Sequence, residues 1–326
     1  MSARRTHIAP SALAEEYSIG LLKRPDKAIV RNCTFTGSPK CAIAARNSEL
    51  NVYDCGIQLE RCVLATFEEC EVRFERTEMT LAGDAGTPFI NIVKREVTAS
   101  LTMKDCTVSG PAVAVNNLNS TLNIEGCTFK DCAKAVEAAA GVVHIRDCNL
   151  RDCEYGVHIH SGGSAIVETT TFENCTSRAM VLDNTHPTLR DLTFRDCKWG
   201  LVLSASQKVE VHNCKFFECN SALGIIGCSV EVSDLRVVGS VGGIKSANST
   251  LKISNTVFDR TEVSVQTKNV QLTVQNSTFK DGASGVNSDG RSSCFHIGLF
   301  VHCDEKNCAE DYRGVPEHSW LYLRTQ

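Results

Sequence analysis

The sequence predicts an all-β fold: a right-handed parallel β-helix, or solenoid, of about twelve coils, with a short N-terminal capping helix and a C-terminal cap. Three observations predict it. Similar segments recur every 21–22 residues, and apolar residues two apart stay in line from one repeat to the next. A residue that tolerates a left-handed backbone stands at the same place in ten of the repeats.

At the N-terminus, residues 11–23 (SALAEEYSIGLLK) place a serine where it can cap a helix, and Leu13, Tyr17 and Leu21 recur at helical spacing. A short helix is expected there, covering the open edge of the first coil. The repeat stops after Asp289, so the chain reads as an N-terminal cap (1–27), a β-helix (28–290) and a C-terminal cap or tail (291–326).

Within 28–290 the cysteine of LNIEGCTF, Cys127, serves as a reference. Its equivalents are Cys33, Cys55, Thr77, Cys106, Cys148, Thr170, Leu192, Cys214, Leu235, Thr256 and Ser277. The interval from Thr77 to Cys106 is longer and holds an extra loop near AGDAGTPF. Two residues after the reference every coil is apolar (Phe35, Val108, Phe129, Leu150, Phe172, Phe194 among them), and so is every coil three residues before it. Chance does not give two such columns in a chain that is 42% hydrophobic. Apolar residues two apart with polar ones between mark a strand with one buried face. The residue before the reference is Asn, Asp or Gly in ten coils. These types adopt left-handed backbone readily, so the column marks a tight bend between two short strands. A further strand follows in each coil, as at 156–159 (GVHI) and 200–203 (GLVL). One coil cannot bury its own face, whereas stacking at about 4.8 Å per coil closes the ladders and the core together.

The 18 cysteines fit this geometry: six occupy the reference column, and Cys132, Cys153, Cys175, Cys197 and Cys219 recur five residues later in consecutive coils. Inward thiols stacked in parallel pack as small hydrophobes rather than as disulfides. With no apolar leader at the N-terminus, a reducing, cytoplasmic setting is expected. A net charge of −4 and a pI near 6.2 give no electrostatic case for nucleic acid or an anionic membrane, and no apolar run is long enough to span a bilayer. Walker loop, nucleotide fingerprint, nucleophile elbow and HExxH motifs are absent from the sequence.

The recurring pattern of alternating strand, Asn or Asp, Cys and then an apolar residue, as in LNIEGCTFKDC and VHIRDCNLRDC, resembles the right-handed β-helix superfamily. That superfamily includes pectate-lyase-like enzymes and NosD-type repeats. The resemblance spans 28–290 and implies the fold; it carries no catalytic motif onto these residues. In its cysteine content the chain looks most like intracellular β-helix adaptors of the Shc SH2-binding type, which implies protein partners. It is also similar to the F-box type with β-helix repeats and to adenoviral early regulatory proteins.

Two outward clusters could carry chemistry. Asp131 and Asp152 precede cysteines on consecutive coils, close enough by strand spacing to share a proton or a cation, or to stand as solvated turn residues. His158 and His160 alternate across Ile159 on one strand, with Tyr155 on the same side and a low rim at Ser161–Gly163. Two such histidines can ligate a metal or act as acid and base, or simply decorate an exposed face. In the tail, Cys294, His296, His302, Cys303, Cys308 and His318 are ligand types for a structural zinc, although no paired CxxC spacing supports it, and a packed cap with Phe295, Phe300 and Trp320 explains the segment better. No other cofactor is implied.

Three functional readings follow. The first is a non-catalytic intracellular scaffold that binds protein partners on a rigid surface. The second is a carbohydrate-active enzyme or lectin using Asp131, Asp152, His158 and His160. The third is a viral regulatory or structural component. Aromatic residues are only 6% of the chain, with two Trp; few are left for sugar platforms once the core column is filled, so the scaffold is the leading expectation.

Overall fold

The structure, a computed structural model, describes residues 17–21, 27–37, 41–46, 48–59, 63–82, 88–93, 99–289, 291–297, 299–302 and 323–325. The regular elements among them are all β-strands, joined to their neighbours in parallel. The chain divides into two compact units, residues 1–159 and 160–326.

In the first unit a coil consists of three strands, for example Thr121–Glu125, Thr128–Lys130 and Lys134–Ala139. The apolar columns of the sequence are the register of the sheets: Leu101, Leu122 and Val143 align, as do Met103, Ile124 and Ile145. Val108, Phe129 and Leu150 align on the neighbouring face. All of these side chains are buried. The long interval contains a regular strand, Pro88–Val93, paired on both sides, so the extra residues do not break the stack there.

The second unit repeats the plan. Leu201, Leu223, Ile244, Val265 and Val286 form one inner column. Phe172, Phe194 and Phe216 form another, with ring centroids 4.9 and 4.7 Å apart and planes within 8° and 4° of parallel. In-register stacking brings identical side chains together, and offset rings at this distance attract beyond their buried area.

The bends are made by single left-handed residues. The twelve residues that precede the reference column all have φ between 46° and 63°, including Arg76 and Thr169, which the Asn/Asp/Gly rule does not cover. A second set, Asp131, Asp152, Asn174, Asp196 and Glu218, turns the chain at the following corner, with φ between 51° and 56°. These bends explain the cysteines. A thiol or hydroxyl in the reference column donates to the carbonyl two residues back, as Cys55 to Tyr53, Cys106 to Lys104, Cys127 to Glu125 and Cys214 to His212. Thr77, Thr256 and Ser277 make the same bond. In ten of the twelve coils the position holds a small side chain with one donor, Cys, Thr or Ser, while Leu192 and Leu235 fill it without one. The expected thiol rows are present, buried and free: Cys132 lies against Cys153, and Cys197 lies against both Cys175 and Cys219.

One expectation fails. Within the segment 11–23, where a capping helix is expected, the described residues Tyr17–Leu21 are instead a strand that pairs in parallel with Cys41–Arg46. The backbone groups of the exposed sheet edge need partners, and five residues of extended chain supply them in register where a helix would not. The rest of 11–23 lies outside the described residues.

Candidate functional site

Asp131 and Asp152 sit on consecutive coils as expected, linked by the Asp131 amide donating to the Arg151 carbonyl at 3.3 Å. Their place is fixed by the backbone: both are the left-handed residue of a corner, where Asp is tolerated for its conformation. Both carboxylates are exposed, and that of Asp131 lies 3.4 Å from the Lys130 ammonium. Solvated turn residues describe them better than a catalytic pair.

His158 and His160 project from the outer face of strand Tyr155–His160, half-buried, while Val157 and Ile159 point inward. His160 Nδ1 lies 2.7 Å from Ser161 Oγ. His158 Nδ1 lies 3.6 Å from Glu137 Oε1 on the preceding coil, and Glu137 also accepts from Lys134 at 2.6 Å. Lys134 in turn lies over the Tyr155 ring, 5.9 Å from its centroid. Glu137 was missed from sequence, although its spacing of 21 from His158 is the repeat itself. The strand thus separates the two candidate clusters: the aspartates belong to a corner, and the histidine face belongs to a polar strip of the sheet.

Of the zinc candidates, Cys294, His296 and His302 fall in strands Ser293–Ile297 and Leu299–His302. Cys303, Cys308 and His318 lie outside the described residues.

The second unit carries a feature that the sequence did not announce. Its outer face holds a groove of about 450 Å³, built on two columns of outward residues. One runs Val202, Gly224, Lys245, Gln266, Asn287; the other runs Ser204, Ile226, Ala247, Lys268. Gly224 and Ala247 keep the floor low. A Cβ on Gly224 would stand 3.0 Å from Trp199 Cζ3, so the indole lies directly across that glycine. Lys245 folds back over Gly242, where a Cβ would meet its Cε at 2.7 Å, and its ammonium rests 5.4 Å from the centroid of the Trp199 ring. Arg178 and Lys268 complete the lining, and both are exposed.

The groove gathers three cations, Arg178, Lys245 and Lys268, along one stretch of surface. Elsewhere in the unit several outward cations are paired across coils, as Lys252 with Glu231, Arg190 with Glu168 and Lys280 with Asp259. Arg178, Lys245 and Lys268 have no carboxylate partner among the described residues. The carboxylate at the groove's end, Asp289, is engaged through Oδ1. It accepts from the Asn269 and Arg291 amides and the Ser292 hydroxyl at 3.3, 3.1 and 3.2 Å. Desolvation by its neighbours works against the charge of this exposed group, but those donors hold the carboxyl below its ordinary value. Three cations without a carboxylate partner among the described residues, set around a half-buried indole, favour an anion that also presents an apolar face.

Comparison with known proteins places this geometry in context. A family model described as "Right handed beta helix region" matches residues 16–142 and 135–299. No curated protein matches the sequence. Among solved structures, the periplasmic alginate epimerase AlgG is similar with a TM-score of 0.64 and 13% identity, over 81% of this chain and 78% of that one. A mannuronic acid specific polysaccharide family 6 lyase from human gut microbiota is similar with a TM-score of 0.52 and 11% identity, over 94% and 86%. At these identities the likeness is one of fold.

The leading expectation, a non-catalytic scaffold for protein partners, is corrected here. Two solved chains similar in fold are an alginate epimerase and a polysaccharide lyase, and the surface itself carries a groove lined by three cations. The resemblance to Shc-type adaptors finds no support in these comparisons. The superfamily reading stands: the chain belongs to the right-handed β-helix family.

Proposed function

We propose that this chain is a carbohydrate-active β-helix protein that takes an acidic polysaccharide into the groove of its second unit. The observation that carries the reading is the trio Arg178, Lys245 and Lys268, without carboxylate partners among the described residues, set around Trp199. A uronate residue presents a C–H face suited to an indole, hydroxyls suited to the amides of Gln266 and Asn287, and a carboxylate suited to ammonium and guanidinium groups. The similarity in fold to an alginate epimerase and a mannuronate-specific lyase supports the same substrate class.

The test is titration of the protein with oligomers of mannuronate, guluronate and galacturonate, alongside turnover assays for unsaturated product and for change of sugar configuration. Binding of acidic oligomers that weakens with salt and is lost in Trp199→Ala is the expected result. Failure to bind any acidic glycan would overturn the proposal. Turnover separates an enzyme from a lectin; Asp131→Asn is expected to leave both binding and turnover unchanged, because that residue serves a corner of the backbone.

A further inference from the structure

The position of Lys245 adds a specificity device to the groove, and the inference rests on the glycan reading above. In this structure the ring face that a sugar would use is already occupied. Lys245 Nζ lies 5.4 Å from the Trp199 centroid, and its aliphatic stem crosses Gly242 to get there. Two glycines make the arrangement fit: Gly224 beneath the indole and Gly242 beneath the lysine stem. Lys245 also stands in register with Gly224, between the ring and the polar column of Gln266 and Asn287. Among the described residues no carboxylate competes for the ammonium, so the indole is its resting partner.

We infer that Lys245 is a charge-selective latch, which makes the Trp199 subsite prefer acidic sugars over neutral ones of the same shape. Any sugar that stacks on Trp199 must first displace the ammonium from the ring. An acidic sugar offers a carboxylate in return, so the cation exchanges a weak π partner for a charge-assisted hydrogen bond. A neutral sugar offers only hydroxyls, and the lost cation–π contact counts against it. Attraction to the right ligand and a penalty on the wrong one then come from one side chain.

The experiment uses the full chain in a Trp320→Phe background, which leaves Trp199 as the sole tryptophan and its fluorescence as the reporter. The probes are a β-1,4-linked mannuronate oligomer and the β-1,4-linked mannose oligomer of equal length, which differ only in carboxylate against hydroxymethyl. Lys245→Met keeps the length of the stem and removes the charge. It is expected to weaken mannuronate binding about tenfold, from loss of a charged hydrogen bond. It is expected to strengthen mannose-oligomer binding about two- to fivefold, the factor set by an exposed cation–π contact. Lys245→Arg should retain the preference for the acidic probe.

Effects of opposite sign on the two probes support the latch. Equal losses on both, or no change on either, would overturn it while leaving acidic-glycan binding by the wild type intact. Wild-type protein that binds no acidic glycan would overturn the underlying functional reading instead.

Discussion

The stacked phenylalanines of the second unit permit a graded test of what holds the coils in register. Phe194 lies between two parallel rings, Phe172 at 4.9 Å and Phe216 at 4.7 Å. Phe216 has one ring neighbour, because the next coil places Val237 beside it. Both side chains are fully buried. Truncation of either to Ala removes the same surface and leaves a similar cavity, at a cost of about 3–5 kcal/mol. Stacked pairs add about 0.5–1.5 kcal/mol each beyond area burial. Phe194→Ala should therefore exceed Phe216→Ala by about 0.5–1.5 kcal/mol, and a double-mutant cycle on the pair should show a coupling of the same size. Urea unfolding followed by circular dichroism measures both, provided the denaturant slope is common to the variants. Equal losses for the two single variants together with zero coupling would refute the claim that ring stacking, and not burial alone, sets the register.

Other consequences are as direct. Ser246, Thr267 and Ser288 align as a column of buried hydroxyls, and none of the three has a hydrogen-bond partner among the described residues. Thr267→Val is expected to stabilise the protein by about 1 kcal/mol, read from the unfolding midpoint, since it removes an unsatisfied polar atom at nearly constant shape. Arg76 donates to Asp54 across one coil at 2.6 Å and holds that carboxyl below its ordinary value. A carboxyl lowered in the folded state stabilises above its unfolded pKa and loses that contribution as pH falls through the folded one. The stability difference between wild type and Arg76→Met should thus be present at neutral pH and fade below about pH 4. Burial pushes the Cys214 thiol up to about 12; mass mapping should find it unmodified by a thiol reagent at pH 8 in the native protein and modified once the chain is unfolded.

The fold was legible because packing repeats a demand at fixed spacing. Phe129, Leu150 and their equivalents must be apolar to fill the interior, and the residues before the reference must accept a left-handed backbone, so both columns show plainly. The N-terminal segment misled because YSIGL is too short for periodicity to decide between helix and strand. The open edge beside Cys41–Arg46 decided it. The groove was harder to find for the opposite reason. Val202, Gly224, Lys245, Gln266 and Asn287 occupy one column, yet no packing rule makes them alike, so the column carries no pattern beyond its spacing. Its signals were local exceptions: a tryptophan at the start of strand Trp199–Ser204, a glycine at 224 where other coils carry a side chain, and Lys245, with Gly224 and Gln266 one repeat to either side. The histidine strip was found because His158 and His160 are neighbours in sequence. Glu137 was overlooked because the repeat, rather than the local strand, supplies it.

Alternation along strand Trp199–Ser204 and its successors assigns the two faces of the chain to separate tasks. Leu201, Leu223, Ile244 and Val265 hold the cylinder, while the residues beside them, Val202, Gly224, Lys245 and Gln266, meet whatever approaches from outside. Drift in ligand preference therefore needs no compromise with foldability. One coil can be rewritten on its exterior, or a whole coil duplicated, and the interior lattice is preserved. A family built this way is free to diverge in what it recognises while its buried columns stay nearly constant.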